Sequence, residues 1–377
     1  MIDKLKGERY TQLLLEVFRK GEPKLLTFNV TRDEVSIKSV DAAYMLTDKL
    51  GYIKINRFAE STFTEFKKAL LNLKKQGATS LALDLRGNPG GFLEVAVNIV
   101  DEFLEDDKLI VYTKNKKGKE DRSYATKRGD FEKGQVYVMI DESSASASEI
   151  IAGALQDNDK GTIVGRRSYG KGLVQREMKL GDGSAVRLTV SKYYTPTGRS
   201  IQRSYDNGNR DYYDDYSDRL NSGELLDESK IEVADSLKYT TPKGNIVYGG
   251  GGIIPDVFVP YDTKMLNETL TFLEKRGLLN NFIFEELEKE RDVYKNMSRQ
   301  DFFNNFKITD EVVKSFEDFL KIKTRSNIVF VAYKEEVKHY LKATLAEQLY
   351  GFGAYFKILN KHDIMIDKVI DLSNSGN

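Results

Sequence analysis

Between Gly51 and Pro260, short unbroken apolar runs alternate with longer stretches whose apolar residues recur every three or four positions. GYIKINRF, SLALDL, LIVYT, VYVMI and TIVG are too short for helices and too apolar for a wet surface, so they read as buried strands. STFTEFKKALLNLKKQG instead puts Phe63, Phe66, Leu70 and Leu73 on one helical face, with Ser61 as N-cap and Gly77 as terminator. FLEVAVNIVDEFL and SEIIAGALQD are helical by the same spacing. Strands tied together by helices define an α/β core.

The flanks have other patterns. TQLLLEVF and KLLTFNV read as two strands of a hairpin around RKGEP, with Gly21 and Pro23 as breakers; an isolated hairpin is marginal, so it must lean on the next domain or be a remnant of something larger. LVQREMKL and AVRLTVSKYYT form a second hairpin about Gly181-Asp182-Gly183-Ser184. Residues 203–235 are strongly acidic and interleaved with Tyr. DYYDDYSD there lacks the glycine and terminal glutamate of a hand-type calcium loop, so an exposed, solvated insertion is expected. From Asp262 onward the spacing is helical, as in DEVVKSFEDFLK and KEEVKHYLKATLAEQLYG. Apolar faces this wide must pack on the core or form a homodimer contact.

Composition narrows the chemistry. The 377 residues carry 58 Lys plus Arg and 58 Asp plus Glu, so no net field attracts nucleic acid or an anionic membrane. No stretch is long and apolar enough to span a bilayer, and MIDKLKGERY has no apolar signal core, so a soluble chain is expected. The absence of Cys removes thiolate nucleophiles, disulfides and Cys-type zinc sites. Both histidines, His339 and His362, lie far from the α/β core in sequence. Any hydrolytic mechanism in that core must work without histidine.

Three segments remain that can carry chemistry. SSASASEI follows the strand VYVMI and opens a helix, where free backbone amides and the helix dipole favour a negative oxygen beside Ser146. The same Ser146 to Glu149 spacing is also that of a helix capping box. In SYGKGLVQ, Lys171 lies between Gly170 and Gly172, free to fold inward as a neutral amine able to accept a proton, or to remain a solvated loop lysine. LRGNPGG follows a strand and precedes a helix, exposing amides for an oxyanion hole, a phosphate nest or simply a tight turn; it has no Lys-Ser or Lys-Thr and is no Walker loop.

In order, GYIKINRF, LDLRGNPGGFLEVAV, SASASEIIAGALQD, VGRRSYGKGLVQ, TPTGRSIQ and GGGGIIPDVFVP make the chain similar to the C-terminal processing, or tail-specific, serine peptidases. The resemblance covers about residues 1–262. It implies an α/β core related to the Clp protease and crotonase folds over 34–262, preceded by the last part of a PDZ domain over 1–33. A helical C-terminal domain, 263–377, follows without an assignable motif. It implies Ser146 as nucleophile, Lys171 as base, Gln175 as the residue orienting the lysine, and an oxyanion hole from Ala147 with Gly90 or Gly91. It further implies no cofactor and no metal, unfolded or C-terminally exposed protein substrates, no nucleic acid partner, and a bacterial cell-envelope or periplasmic location. Two other readings stand beside it: a catalytically silent peptide-binding scaffold, and a crotonase-like acyl-CoA enzyme. The intact Ser146, Lys171 and Gln175 disfavour the first. The lack of a basic cluster for a nucleotide phosphate disfavours the second.

Overall fold

The computed structural model describes residues 2–19, 22–35, 37–205, 209–262 and 268–375; Gly21 of the first turn lies outside them. After a one-turn helix α1 (Ile2–Leu5), strands β1 (Gln12–Val17) and β2 (Leu26–Thr31) pair antiparallel as their own two-stranded sheet. Leu14, Phe28 and Val30 remain exposed, so the hairpin stands out from the core rather than leaning on it.

The main sheet has the order β14-β9-β8-β5-β4-β3. Its strands are β3 (Val40–Met45), β4 (Leu50–Ile55), β5 (Ser80–Asp84), β8 (Gln135–Ile140), β9 (Gly161–Gly165) and β14 (Val257–Phe258). All neighbours are parallel except β3, which runs antiparallel to β4 at the edge. Helices α2 (Thr62–Lys75), α3 (Leu93–Asp101) and α4 (Ala147–Asp157) cover one face. Side chains alternate across a strand, so Ile53, Leu83 and Val138 meet these helices while Tyr52, Ala82 and Met139 point the other way. Burial of both faces explains why the strands read as continuous apolar runs.

A second, antiparallel sheet of order β10-β11-β6-β7 comprises β6 (Leu109–Asn115), β7 (Glu120–Tyr124), β10 (Leu173–Lys179) and β11 (Ala185–Tyr194). Most described residues of the acidic insertion are exposed, as expected, but the segment is not a plain loop. It contains helix α5 (Asn209–Ser222) and buries Arg219 and Leu225, because Asp215 and Glu224 neutralise Arg219 where it packs. A small pair, β12 (Lys238–Thr240) and β13 (Ile246–Tyr248), precedes β14.

The C-terminal region is helical: α6 (Glu268–Lys275), α7 (Leu278–Lys289), α8 (Arg291–Asn296), α9 (Arg299–Asn304), α10 (Asp310–Thr324), α11 (Lys334–Tyr350), α12 (Phe352–Leu359) and α13 (Ile364–Ser375). The stretch from α6 to α12 has its own core around Phe282, Phe302, Phe316 and Leu341. Met365, Ile366 and Val369 of α13, with Phe356 of α12, pack on Tyr52, Ala82, Tyr137 and Met139 and so cover the second face of the main sheet.

Candidate active site

The carboxyl ends of β5, β8 and β9 lie side by side, and each feeds one of the three segments singled out in the sequence. Ligand sites of parallel α/β sheets form at this edge. Glycine is required in the first segment: Gly90 and Gly91 have φ of 103° and 152°. A Cβ on Gly91 would sit 2.1 Å from Phe58 O, and one on Gly90 only 2.7 Å from both Ala145 O and Ser146 Cβ. Gly90 therefore lies directly against Ser146.

Hydrogen bonds stitch this loop to the serine segment. Ala145 N and Ser148 Oγ both donate to Asn88 O, at 3.0 and 2.9 Å. The Asp141 carboxylate accepts from Gly87 N at 2.9 Å and from Ser144 Oγ at 3.1 Å. Ser146 itself is the residue before α4, with φ 56° and ψ −111°, a conformation that costs a non-glycine residue about 1–3 kcal/mol. It is half-buried, and the residue after it, Ala147, opens the helix.

Of the candidate oxyanion donors, Gly90 N is already bonded to Asn88 Oδ1 at 2.9 Å. Gly91 N and Ala147 N have no partner among the described residues. A Cβ at position 90 would stand 3.0 Å from Ala147 N, so the bare glycine keeps that amide open.

The lysine segment is joined to the serine segment through Glu149. This fully buried carboxylate accepts from Ser146 N (2.8 Å), Ser168 Oγ (2.6 Å), Gly170 N (2.6 Å) and Lys171 N (2.9 Å). Burial pushes its carboxyl above the usual range, and the four donors pull it back only in part. Tyr193 OH lies 3.1 Å from Ser146 O and 2.8 Å from Lys171 O, so it ties the same two residues on their carbonyl side. Gln202 Oε1 accepts from Gly172 N at 2.9 Å.

Lys171 is half-buried, and its Nζ has no hydrogen-bond or ion-pair partner among the described residues. Gln175 is exposed on β10, opposite Thr189 and beside a bulge at Val174/Gln175. No hydrogen bond among the described residues joins it to Lys171. Glu149, Tyr193, Asn88 and Gln202 are the site residues that sequence reasoning missed. For Glu149 the one available signal was its capping-box spacing to Ser146.

Fold and match point to one class: residues 49–207, most of the α/β core, match the model of peptidase family S41. Among particular relatives, the chain is 38% identical over 206 residues to a carboxy-terminal-processing protease of Bartonella bacilliformis, covering 53% of this chain and 47% of that protein. It is 36% identical over 202 residues to the carboxy-terminal processing protease CtpB of Bacillus subtilis, covering 53% and 42% respectively. The chain thus spans about half the length of the curated relatives it matches. A solved photosystem II D1 C-terminal processing protease aligns at 28% identity and a TM-score of 0.42, over 67% of this chain and 57% of that one. Residues 269–351 match a family of unknown function (DUF8443).

Proposed function

We propose that this chain is a serine endopeptidase that cleaves protein substrates near their C-termini through an acyl-enzyme on Ser146, with Lys171 as general base. The observation that carries the reading is the position of Ser146: held in a left-handed conformation beside two amides without partners, and tied through Glu149 to the segment bearing Lys171. The neutral Lys171 amine takes the Ser146 hydroxyl proton as Oγ attacks the scissile carbonyl. The resulting oxyanion is bound by Ala147 N and, of the two glycines, by Gly91 N, since Gly90 N is spoken for by Asn88. The proton passes to the leaving amine, and water then releases the acyl group by the reverse sequence.

In this reading Gln175, four residues beyond Lys171, is the residue that orients the lysine. In the same reading, residues 1–33 form the C-terminal part of a PDZ-like domain, 34–262 the peptidase domain and 263–377 a helical domain. Substrates are unfolded or C-terminally exposed proteins, met in a bacterial cell envelope. No described helix is long and apolar enough to cross a membrane.

Purified variants incubated with an unfolded protein test this. Ser146→Ala and Lys171→Ala should both abolish cleavage, since residues acting as one unit are not additive. Lys171→Arg should fail equally, because a guanidinium does not release its proton. Full activity in Lys171→Ala would sink the mechanism.

A further inference from the structure

The segment between α12 and α13 reaches the residue that leads into the glycine loop. Arg86 directly precedes Gly87, and its guanidinium is held on two sides. Its Nε and Nη2 donate to the Asp84 carboxylate at 3.0 and 2.7 Å, and its Nη1 donates to Asp363 Oδ2 at 2.7 Å. Lys54 Nζ also binds Asp84 Oδ1, at 3.1 Å, and the Arg86 carbonyl, while Tyr52 OH donates to Asp84 Oδ2 at 2.8 Å.

Asp84 is buried and the other three charged side chains are at most a fifth exposed. Two cations, Lys54 and Arg86, therefore face one carboxylate from the sheet; the cluster is neutral only when Asp363 is counted. A buried charge left without its partner is strongly disfavoured. Asp363 Oδ1 meanwhile accepts from Met365 N and Ile366 N at 2.9 and 3.2 Å, fixing it at the start of α13.

We propose that Asp363 is a positioning residue for the peptidase site: through Arg86 it sets the path of residues 87–91 and hence the aim of the Gly91 amide. The inference rests on the peptidase reading above and assigns the C-terminal region a part in it. Asp363→Asn keeps an acceptor for the two helix amides and replaces the oxygen facing Arg86 with an NH2 group, removing both the charge and the acceptor there. In this variant kcat on an unfolded protein should fall about ten- to a hundredfold at unchanged KM, because a small displacement of a catalytic donor slows chemistry more than binding. Hydrogen exchange of the Arg86, Gly87, Asn88 and Gly90 amides, each bonded in the resting structure, should quicken. Val369→Ala, which thins the apolar face of the same helix without touching Arg86, should lower Tm and leave kcat in place. Unaltered exchange at these amides in Asp363→Asn overturns the inference whatever the activity. So does an equal kcat loss in Val369→Ala, which would reduce Asp363 to a fold-holding role. If the unmodified chain cleaves nothing beyond a Ser146→Ala blank, the peptidase reading fails, and the exchange measurement still decides the role of Asp363.

Discussion

A single methyl group on Gly90 would meet Ala145 O, Ser146 Cβ and Ala147 N, all within 3.0 Å, at a φ that L-residues avoid. Gly90→Ala should therefore lower kcat by about a hundredfold or more, the scale of losing one oxyanion donor. Thermal unfolding measured in parallel should show the protein still folded. Glu149 makes a different prediction, in pH. Only its ionised form can accept from all four donors that join Ser146 to Lys171. Its carboxyl is raised by burial, so it takes up a proton at a higher pH than an ordinary glutamate. Activity should fall as pH drops through that raised value. Stability has the opposite sign: between the ordinary and raised values the folded chain binds more protons than the unfolded one, so this group stabilises the fold as pH falls. A pH series of kcat beside Tm checks the divergence; parallel decline of both would refute it. The bridging role of Glu149 was not legible in sequence, because three of its donors come from residues 168–171, across the strand break after β9. Ser146 and Lys171 were legible as candidates, since small neighbours and missing histidines mark them locally.

At the scale of elements, α13 closes the sheet face bearing Tyr52, Tyr137 and Met139. Ile366→Ala should cost about 2–5 kcal/mol by denaturant titration, as for other buried large-to-Ala changes. A loss below about 1 kcal/mol would mean that the helix is not an integral layer. SLALDL and VYVMI are readable as strands because burial on both faces removes every polar position. Strand β3 is not, because Asp41 interrupts it and its antiparallel edge position relaxes the pattern. Strand β7, EDRSY, is charged and largely exposed, so pairing with β6 rather than burial makes it a strand. Ser61 illustrates the limit of cap signals: it precedes α2, but its hydroxyl donates to Glu65 Oε1, and Thr62 Oγ1 takes the Ala59 amide. Lys54 looks like an outward lysine on an alternating strand. Only the fold supplies Asp84, 30 residues away, to bury it.

Across the whole molecule, the stretch from α6 to α12 gathers its own aromatic core, whereas α13 has its apolar residues in the core of the main sheet. Deleting residues 360–377 should accordingly leave the α6 to α12 cluster helical but uncover Tyr52, Ala82, Tyr137, Met139 and Val164. Binding of an apolar dye, with loss of peptidase activity, is the expected result; a dye-silent, active truncation would contradict it.

Sequence distance gives this arrangement a meaning in time. The last strand of the main sheet ends at Phe258, and the helix that covers its second face begins at Ile364. At the usual pace of about 5–20 residues per second, a ribosome making this chain delivers Ser146, Lys171 and the full sheet several seconds before Asp363 and α13 emerge. During that interval the nascent chain has its sheet and the Ser146 segment but neither the layer that covers the sheet's second face nor the carboxylate that pairs with Arg86. Order of emergence therefore leaves Tyr52, Tyr137 and Met139 uncovered, and Arg86 short of one carboxylate, until residues 363–369 have left the ribosome.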